Sequence, residues 1–358
     1  MTHAHSAGGP GPRPWRIGVA ANLDPGGSVH RPAFERGVEL ALAAWPHRDG
    51  IALHRASDGA DPQRARDVAR RFVAEGVDVV VGHFSSAAAA AAAPVYEQAG
   101  IPLLLPAATA TALTVHTTTF RVCGHDAALA EACAQDLAER HGVHGLCLAD
   151  DGSPHAGRMR RHLADALQAP RPGGPRVRHE PVLAWADALL FVGSFEAAVQ
   201  ALSAAPDRLP PRVFLSDDCV HPALAQRLPR RLLQDGRSVH VHGFSGLTEA
   251  PPERALADRC RRAFGEPPGI YFAETYSAMQ MALRMAQLPA GGLGAPGLLA
   301  TRPWDTVLGR LRFIGRESSR HRFALWRVEG ESLRMVRTLP GPGVPAAPAA
   351  LRQAEPAG

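Results

Sequence analysis

Between residues 15 and 244 the chain keeps returning to one pattern, which narrows the folds open to it. A short apolar run is followed by a longer segment with apolar residues at helical spacing. "WRIGVAA" (15–21) precedes "PAFERGVELALAAW" (32–45), "IALHRA" precedes a helix opened by Asp61 and Pro62, and "DVVVG" (78–82) precedes an alanine-rich stretch. In the second helix Ala65, Val68, Ala69 and Phe72 fall on one face, and the Asp-Pro opening supplies an N-cap and a first-turn proline. A continuous apolar run such as 78–82 suits a strand covered on both faces. Strands alternating with helices imply right-handed crossovers and parallel sheets.

The rhythm breaks near Gly124 and then resumes. "DAALAEACAQDLAERHG", "AGRMRRHLADAL" and "EAAVQALSAA" read as helices, and "GLCLAD", "ADALLFVG", "RVFLS" (212–216) and "SVHVHGF" (238–244) as strands, with a helix expected near 221–235. Two further helices are expected at about 252–264 and 271–287. "GRLRFIG" then leads into a hairpin, "HRFALWRVEGESLRMV", turned at Glu329-Gly330. Two α/β series in 358 residues suit two domains rather than one core. Residues 1–13 and 339–358, rich in Pro, Gly and Ala, are expected to be disordered tails.

Composition removes several function classes. All 39 basic residues are arginine, scattered singly or in pairs such as Arg160-Arg161, so the formal charge of +5 forms no basic tract and points to no nucleic-acid partner. Only about fourteen residues precede Trp15, too few for a helix-turn-helix. No run approaches the length of a membrane-spanning helix. The opening "MTHAHSAGGPGPRPW" lacks the pattern of a secretory signal, and five cysteines (Cys123, Cys133, Cys147, Cys219, Cys260) show no CxxC spacing. Read as written, the chain is expected in the cytoplasm, and in the periplasm if its natural start lies upstream. No GKS/T element is present, and no cofactor is expected.

Ligands of open parallel sheets gather at the carboxyl ends of strands. Ser85 and Ser86 follow the strand 78–82 and begin a helix, and Thr109 follows the strand 101–105. Free N–H groups at that helix start, with the hydroxyls, could hold a carboxylate; equally, Ser85 is a plain N-cap and Thr109 a turn residue. "GHFSS" is not the Gly-x-Ser-x-Gly elbow, so no nucleophilic enzyme is indicated. His240 and His242 share one face of a strand as a possible metal half-site, though such pairs are commonly surface or hinge residues. Cys219 reads as an inert buried thiol.

The run "GHFSSAAAAAAAPVYEQAGIPLLLPAATATAL" resembles the matching stretch of the leucine/isoleucine/valine-binding proteins, the type I periplasmic solute-binding proteins of ABC transporters. The likeness extends to "RIGVAANLDPGGSVHRPAFERGVELAL" and "DGADPQRARDVARRFVAEGVDVVVG" before it, and to "LADDGSPHAGRMRRHLADAL", "FLSDDC" and "PPGIYFAETYSAMQMAL" after it, over about residues 15–336. The resemblance implies two Rossmann-like α/β lobes with parallel sheets, joined by a three-segment hinge and closing on an amino acid or amide. Lobe 1 would comprise 14–123 and about 249–313, and lobe 2 would comprise 124–248 and about 314–338. Ser86 with Ala107, Ala108 and Thr109 would hold the ligand carboxylate, and Asp218, or its neighbour Asp217, would pair with the ammonium. His30, His155, Phe195 and Tyr271 would line the pocket.

Departures from the family pattern accompany the likeness. His30 and His155 stand where tyrosines would be expected, which implies a smaller, more polar pocket; its affinity is expected to change between roughly pH 5.5 and 7.5 if either histidine touches the ligand. Ala60 and Ser85 stand where the family's small disulfide would be. The implied partner is an ABC permease for an exported protein, or a regulatory protein for a cytosolic ligand sensor.

Overall fold

The computed structural model describes residues 13–168, 175–178, 185–234, 236–288 and 294–339. Both tails expected from composition, apart from Arg13 and Leu339, lie outside these residues. The chain divides into two compact units, residues 1–125 with 246–321 and residues 126–245 with 322–358.

The first unit opens with β1 (Trp15–Ala21), α1 (Arg31–Ala43), β2 (Ile51–Ser57), α2 (Pro62–Ala74), β3 (Val79–Gly82), α3 (Ser86–Ala99), β4 (Leu103–Leu105) and β5 (Thr119–Arg121). The second holds α4 (Asp126–Arg140), β6 (Gly145–Asp150), α5 (Pro154–Gln168), β7 (Arg176–Arg178), β8 (Ala188–Val192), α6 (Phe195–Ala204), β9 (Arg212–Leu215), α7 (Leu224–Arg227) and β10 (Ser238–Phe244). The chain re-enters the first unit for α8 (Pro251–Phe264), α9 (Phe272–Met285), α10 (Gly294–Thr301), β11 (Trp304–Thr306), β12 (Gly309–Leu311), β13 (Phe313–Ile314) and β14 (Glu317–Ser318). It ends in the second with β15 (Phe323–Glu329) and β16 (Ser332–Leu339).

Each unit is built on a seven-stranded sheet, ordered β13-β14-β5-β4-β3-β1-β2 in the first and β16-β15-β10-β9-β8-β6-β7 in the second. The strands from β5 to β2 and from β10 to β7 pair in parallel, as the alternating pattern requires. The late hairpin adds an antiparallel edge to the second sheet through β10 and β15. Its two-residue turn is Gly330-Glu331, one position beyond the Glu329-Gly330 expected, because Glu329 is still paired with Ser332.

The interior strand β3 is buried throughout, and its side chains alternate between two helical layers. Val79 and Val81 pack with Phe34 and Val38 of α1 and Met279 and Leu283 of α9. Val80 packs with Ala65 and Phe72 of α2 and with Ala88, Ala92 and Tyr96 of α3. A strand apolar on both faces is what two helical layers demand. The alanine run also finds its reason here: methyl side chains let α3 lie close to both the sheet and α2.

Two expectations need correction. The helix near 221–235 is a single turn of α-helix, α7, followed by a 3-10 turn at Arg230–Leu233, because Pro229 removes a donor where a helix would continue. The last segment of the first unit also runs to His321 rather than about 313. Glu317 of β14 pairs with Arg121 of β5, so residues 314–318 belong to the first sheet.

Candidate functional site

In the first unit the carboxyl ends of β3 and β4 carry the residues singled out from sequence. β3 ends at Gly82, whose backbone lies at φ +129°. A β-carbon there would stand 1.9 Å from the carbonyl oxygen of Ala20, so only glycine allows β1 and β3 to approach this closely at the turn. Ser85 caps α3, its hydroxyl accepting from the Ala88 N–H at 3.2 Å. Ser86 turns the other way, and its hydroxyl accepts from the Ala110 N–H at 3.2 Å. The helix start is thereby tied to the segment after β4, in which Ala107, Ala108 and Thr109 are all buried.

Arg121 holds the same segment from behind, a role that the sequence reading missed. Its fully buried guanidinium donates to the carbonyls of Ala108 and Ala110 and meets the Glu317 carboxylate at 3.0 Å. Two carbonyls of this turn are therefore consumed on the side facing Arg121.

His30 and Tyr271 come together with Phe84, which was also not foreseen. Phe84 packs edge-on against Phe34 and Tyr271, at centroid distances of 5.2 and 5.5 Å, and His30 stands edge-on to Tyr271 at 5.5 Å. Tyr271 adopts a left-handed backbone, φ +66°, at the head of α9. An aromatic residue there is strained, and such strain persists only where surrounding packing imposes it.

His83, beside the serines, is committed elsewhere. Its Nδ1 meets Asp58 at 2.8 Å and its Nε2 meets the Tyr96 hydroxyl at 3.0 Å, with the His83 and Asp58 side chains wholly buried. Asp58 also accepts from the Ala60 N–H. A noncovalent clasp thus joins the loops after β2 and β3, within two residues of both Ala60 and Ser85. Neither serine shows the serine–histidine pairing of a nucleophile.

The second unit gathers its acids around His155. The turn Asp217–Cys219 follows β9. Asp217 is buried, with a carboxylate oxygen 3.8 Å from His155 Nε2, while Asp218 is half-buried. Asp126, at the start of α4, is buried as well, and both Asp126 and Asp151 add negative charge around Asp218. Burial first, then the charge of Asp217, raises the Asp218 carboxyl to about 7. The neighbouring aspartates outweigh the burial of His155 and hold its imidazolium up to about 10. The pH sensitivity expected from His155 between 5.5 and 7.5 therefore passes to Asp218, because His155 stays protonated throughout that window. An amine ligand needs Asp218 ionised, so affinity is expected to rise with pH through about 7.

Gly243 of β10 makes room for this turn. A β-carbon at 243 would stand 2.5 Å from Val220 Cγ2 and 3.2 Å from Asp217 Cα. Gly243→Ala is expected to displace the turn and weaken ligand binding by about tenfold or more while the fold persists. Calorimetry with circular dichroism as the folding control checks it, and unchanged affinity would show that the turn tolerates the shift.

Phe195 lies at the head of α6, buried between His221 at 4.9 Å and the Arg227 guanidinium at 5.7 Å. Asp151 ties this helix start down by accepting from the Ser194 and Ser153 N–H groups, each at 2.9 Å. His240 and His242 are not surface residues. They lie buried against Phe214, and His242 meets Asp136 at 2.9 Å alongside Arg337. All five cysteines are buried thiols. No helix among the described residues is long and apolar enough to cross a membrane.

Comparison with known proteins places this geometry in context. The family model described as periplasmic binding protein matches residues 14–324. A Leu/Ile/Val-binding protein homologue of Brucella abortus is 32% identical over 117 residues, which is 31% of this chain and 32% of that protein. The chain thus matches about a third of the length of that curated relative. Among solved structures, a leucine binding protein of Thermotoga maritima superposes with a TM-score of 0.75 at 15% identity, covering 91% of this chain and 98% of that one. A solute binding protein of an ABC transporter from Rhodopseudomonas palustris, solved with 3,4-dihydroxybenzoic acid, gives 0.71 at 17% identity over 92% and 99%.

Proposed function

This chain belongs to the periplasmic binding protein family, and from that premise we propose that it is a binding protein for a small polar solute of the amino-acid or amide type. The first unit offers donors suited to a carboxylate, and the second offers acids suited to an amine. The observation that carries this reading is the half-buried Asp218. Its neighbour Asp217 already faces His155, which leaves Asp218 as the acid suited to a ligand cation.

At the other end, Ser86, Thr109 and the N–H groups at the start of α3 supply donors for an anion. His30 and Tyr271 of the first unit, and separately Phe195 of the second, offer ring surface to a ligand body. The leucine in one neighbour's name and the dihydroxybenzoic acid with which another was solved differ in body and share a carboxylate, which supports placing the common group on this first-unit set. The protein binds rather than catalyses: His83 is engaged by Asp58 and Tyr96 instead of activating Ser85 or Ser86.

In the transport setting its partner is an ABC permease and its compartment the periplasm. The burial of every cysteine as a thiol favours a second setting, a ligand sensor in the reducing cytoplasm acting on a regulatory protein. A thermal-shift screen across amino acids, amides, urea and short carboxylates tests the function directly. Stabilisation by compounds bearing both an amine and a carboxylate is expected. Stabilisation by carboxylates alone, equal with and without an amine, would overturn the role given to Asp218. Affinity capture from the natural host separates the settings, a permease supporting transport and a regulator supporting sensing.

A further inference from the structure

We propose that His155, Asp217 and Asp218 form a divalent-metal site in the second unit, of the kind that takes a first-row ion such as Zn²⁺. One donor atom from each of the three lies within 4.8 Å of the others. Donors around a tetrahedral ion stand roughly 3.3–3.5 Å apart, so the set has to contract by about an ångström. The half-buried Asp218 and His155 side chains are the members with room to move. Asp217 is fixed by the turn that packs on Gly243.

A second observation points to a cation. Asp126, 1% exposed, has a carboxylate oxygen with no hydrogen-bond partner, and its charge acts on both His155 and Asp218. His155 Nε2 likewise has no hydrogen-bond partner, Asp217 lying beyond hydrogen-bond reach at 3.8 Å. Three carboxylates around one histidine leave an excess negative charge that a divalent ion can neutralise, and the ion displaces the proton of His155, since only the neutral imidazole coordinates. One nitrogen and two oxygens suit Zn²⁺, Co²⁺ or Ni²⁺, whereas Ca²⁺ and Mg²⁺ call for more oxygen donors or retained water. Three protein ligands also leave a coordination position open.

The metal uses Asp218, the acid assigned to the ligand amine, so ion and amine are expected to compete. The site shares that residue with the proposed function but does not rest on it, because the ion is titrated alone. The experiment is calorimetric titration of ZnCl₂ into the chelator-treated full chain, repeated with Co²⁺ while following its visible absorption. One equivalent of Zn²⁺ is expected, with affinity falling about tenfold or more in His155→Ala and in Asp217→Asn. The equivalent should survive a His3→Ala/His5→Ala double variant, which removes the histidines of the opening segment. Should circular dichroism show His155→Ala unfolded, Asp218→Asn gives the same reading. Absence of binding, an equivalent that His155→Ala leaves intact, or one lost with His3 and His5 would overturn the site. Amine-dependent stabilisation without metal binding would refute the metal and leave the solute reading standing.

Discussion

Replacing Arg121 with alanine is expected to cost about 3–5 kcal/mol of stability, the largest loss of any single change considered. The guanidinium is fully buried, satisfies the carbonyls of Ala108 and Ala110 and faces Glu317. Its removal leaves two buried acceptors unpaired, each worth about 1–3 kcal/mol, beside a carboxylate that has lost its counter-ion. Arg121→Lys is expected to recover only part of the loss, since an ammonium cannot span two carbonyls and a carboxylate as the planar fork does. Denaturant melts of the three proteins test this. A loss below about 1 kcal/mol in the alanine variant would show that the turn after β4 holds itself.

Asp218→Asn is expected to move binding and stability in opposite directions. Removing the counter-ion of a buried amine should weaken binding by about 2–5 kcal/mol. Stability should rise above neutral pH. A carboxyl whose folded value is raised to about 7 binds its proton more tightly in the folded chain than in the unfolded one. Folding therefore loses stability as pH climbs from about 4 towards 7, and stays penalised above that, where the charge is present in both states. Asparagine has no charge to desolvate, so at pH 8 the variant should melt higher than the parent while binding ligand far more weakly. Such opposition marks a residue kept for binding rather than for folding. A variant that melts lower at pH 8 would contradict the burial of an uncompensated charge at 218.

The fold was legible in sequence because periodicity is a local property. β1, β3, α2 and their buried faces follow from apolar spacing and an Asp-Pro start that need no partner to be recognised. The clasp of His83, Asp58 and Tyr96 was not legible, since its members lie 25 and 13 positions apart and each alone reads as a loop or core residue. Arg121 was hidden by composition. In a chain whose basic residues are all arginine, one more drew no notice, although an arginine within "TFRVC" was a signal that a buried charge needed partners. The pair at 217 and 218 was visible as a pair, but the division of labour depends on His155 arriving from α5. Asp126 offered only the commonplace cue of an acid at a helix start.

Titration calorimetry with an amine-bearing carboxylate that stabilises the protein, run at pH 6 and at pH 8, tests the central claim most directly. The account predicts tighter binding at pH 8, with the difference abolished in Asp218→Asn. Equal affinity at both values, or the same pH response with Asp218 removed, would contradict it.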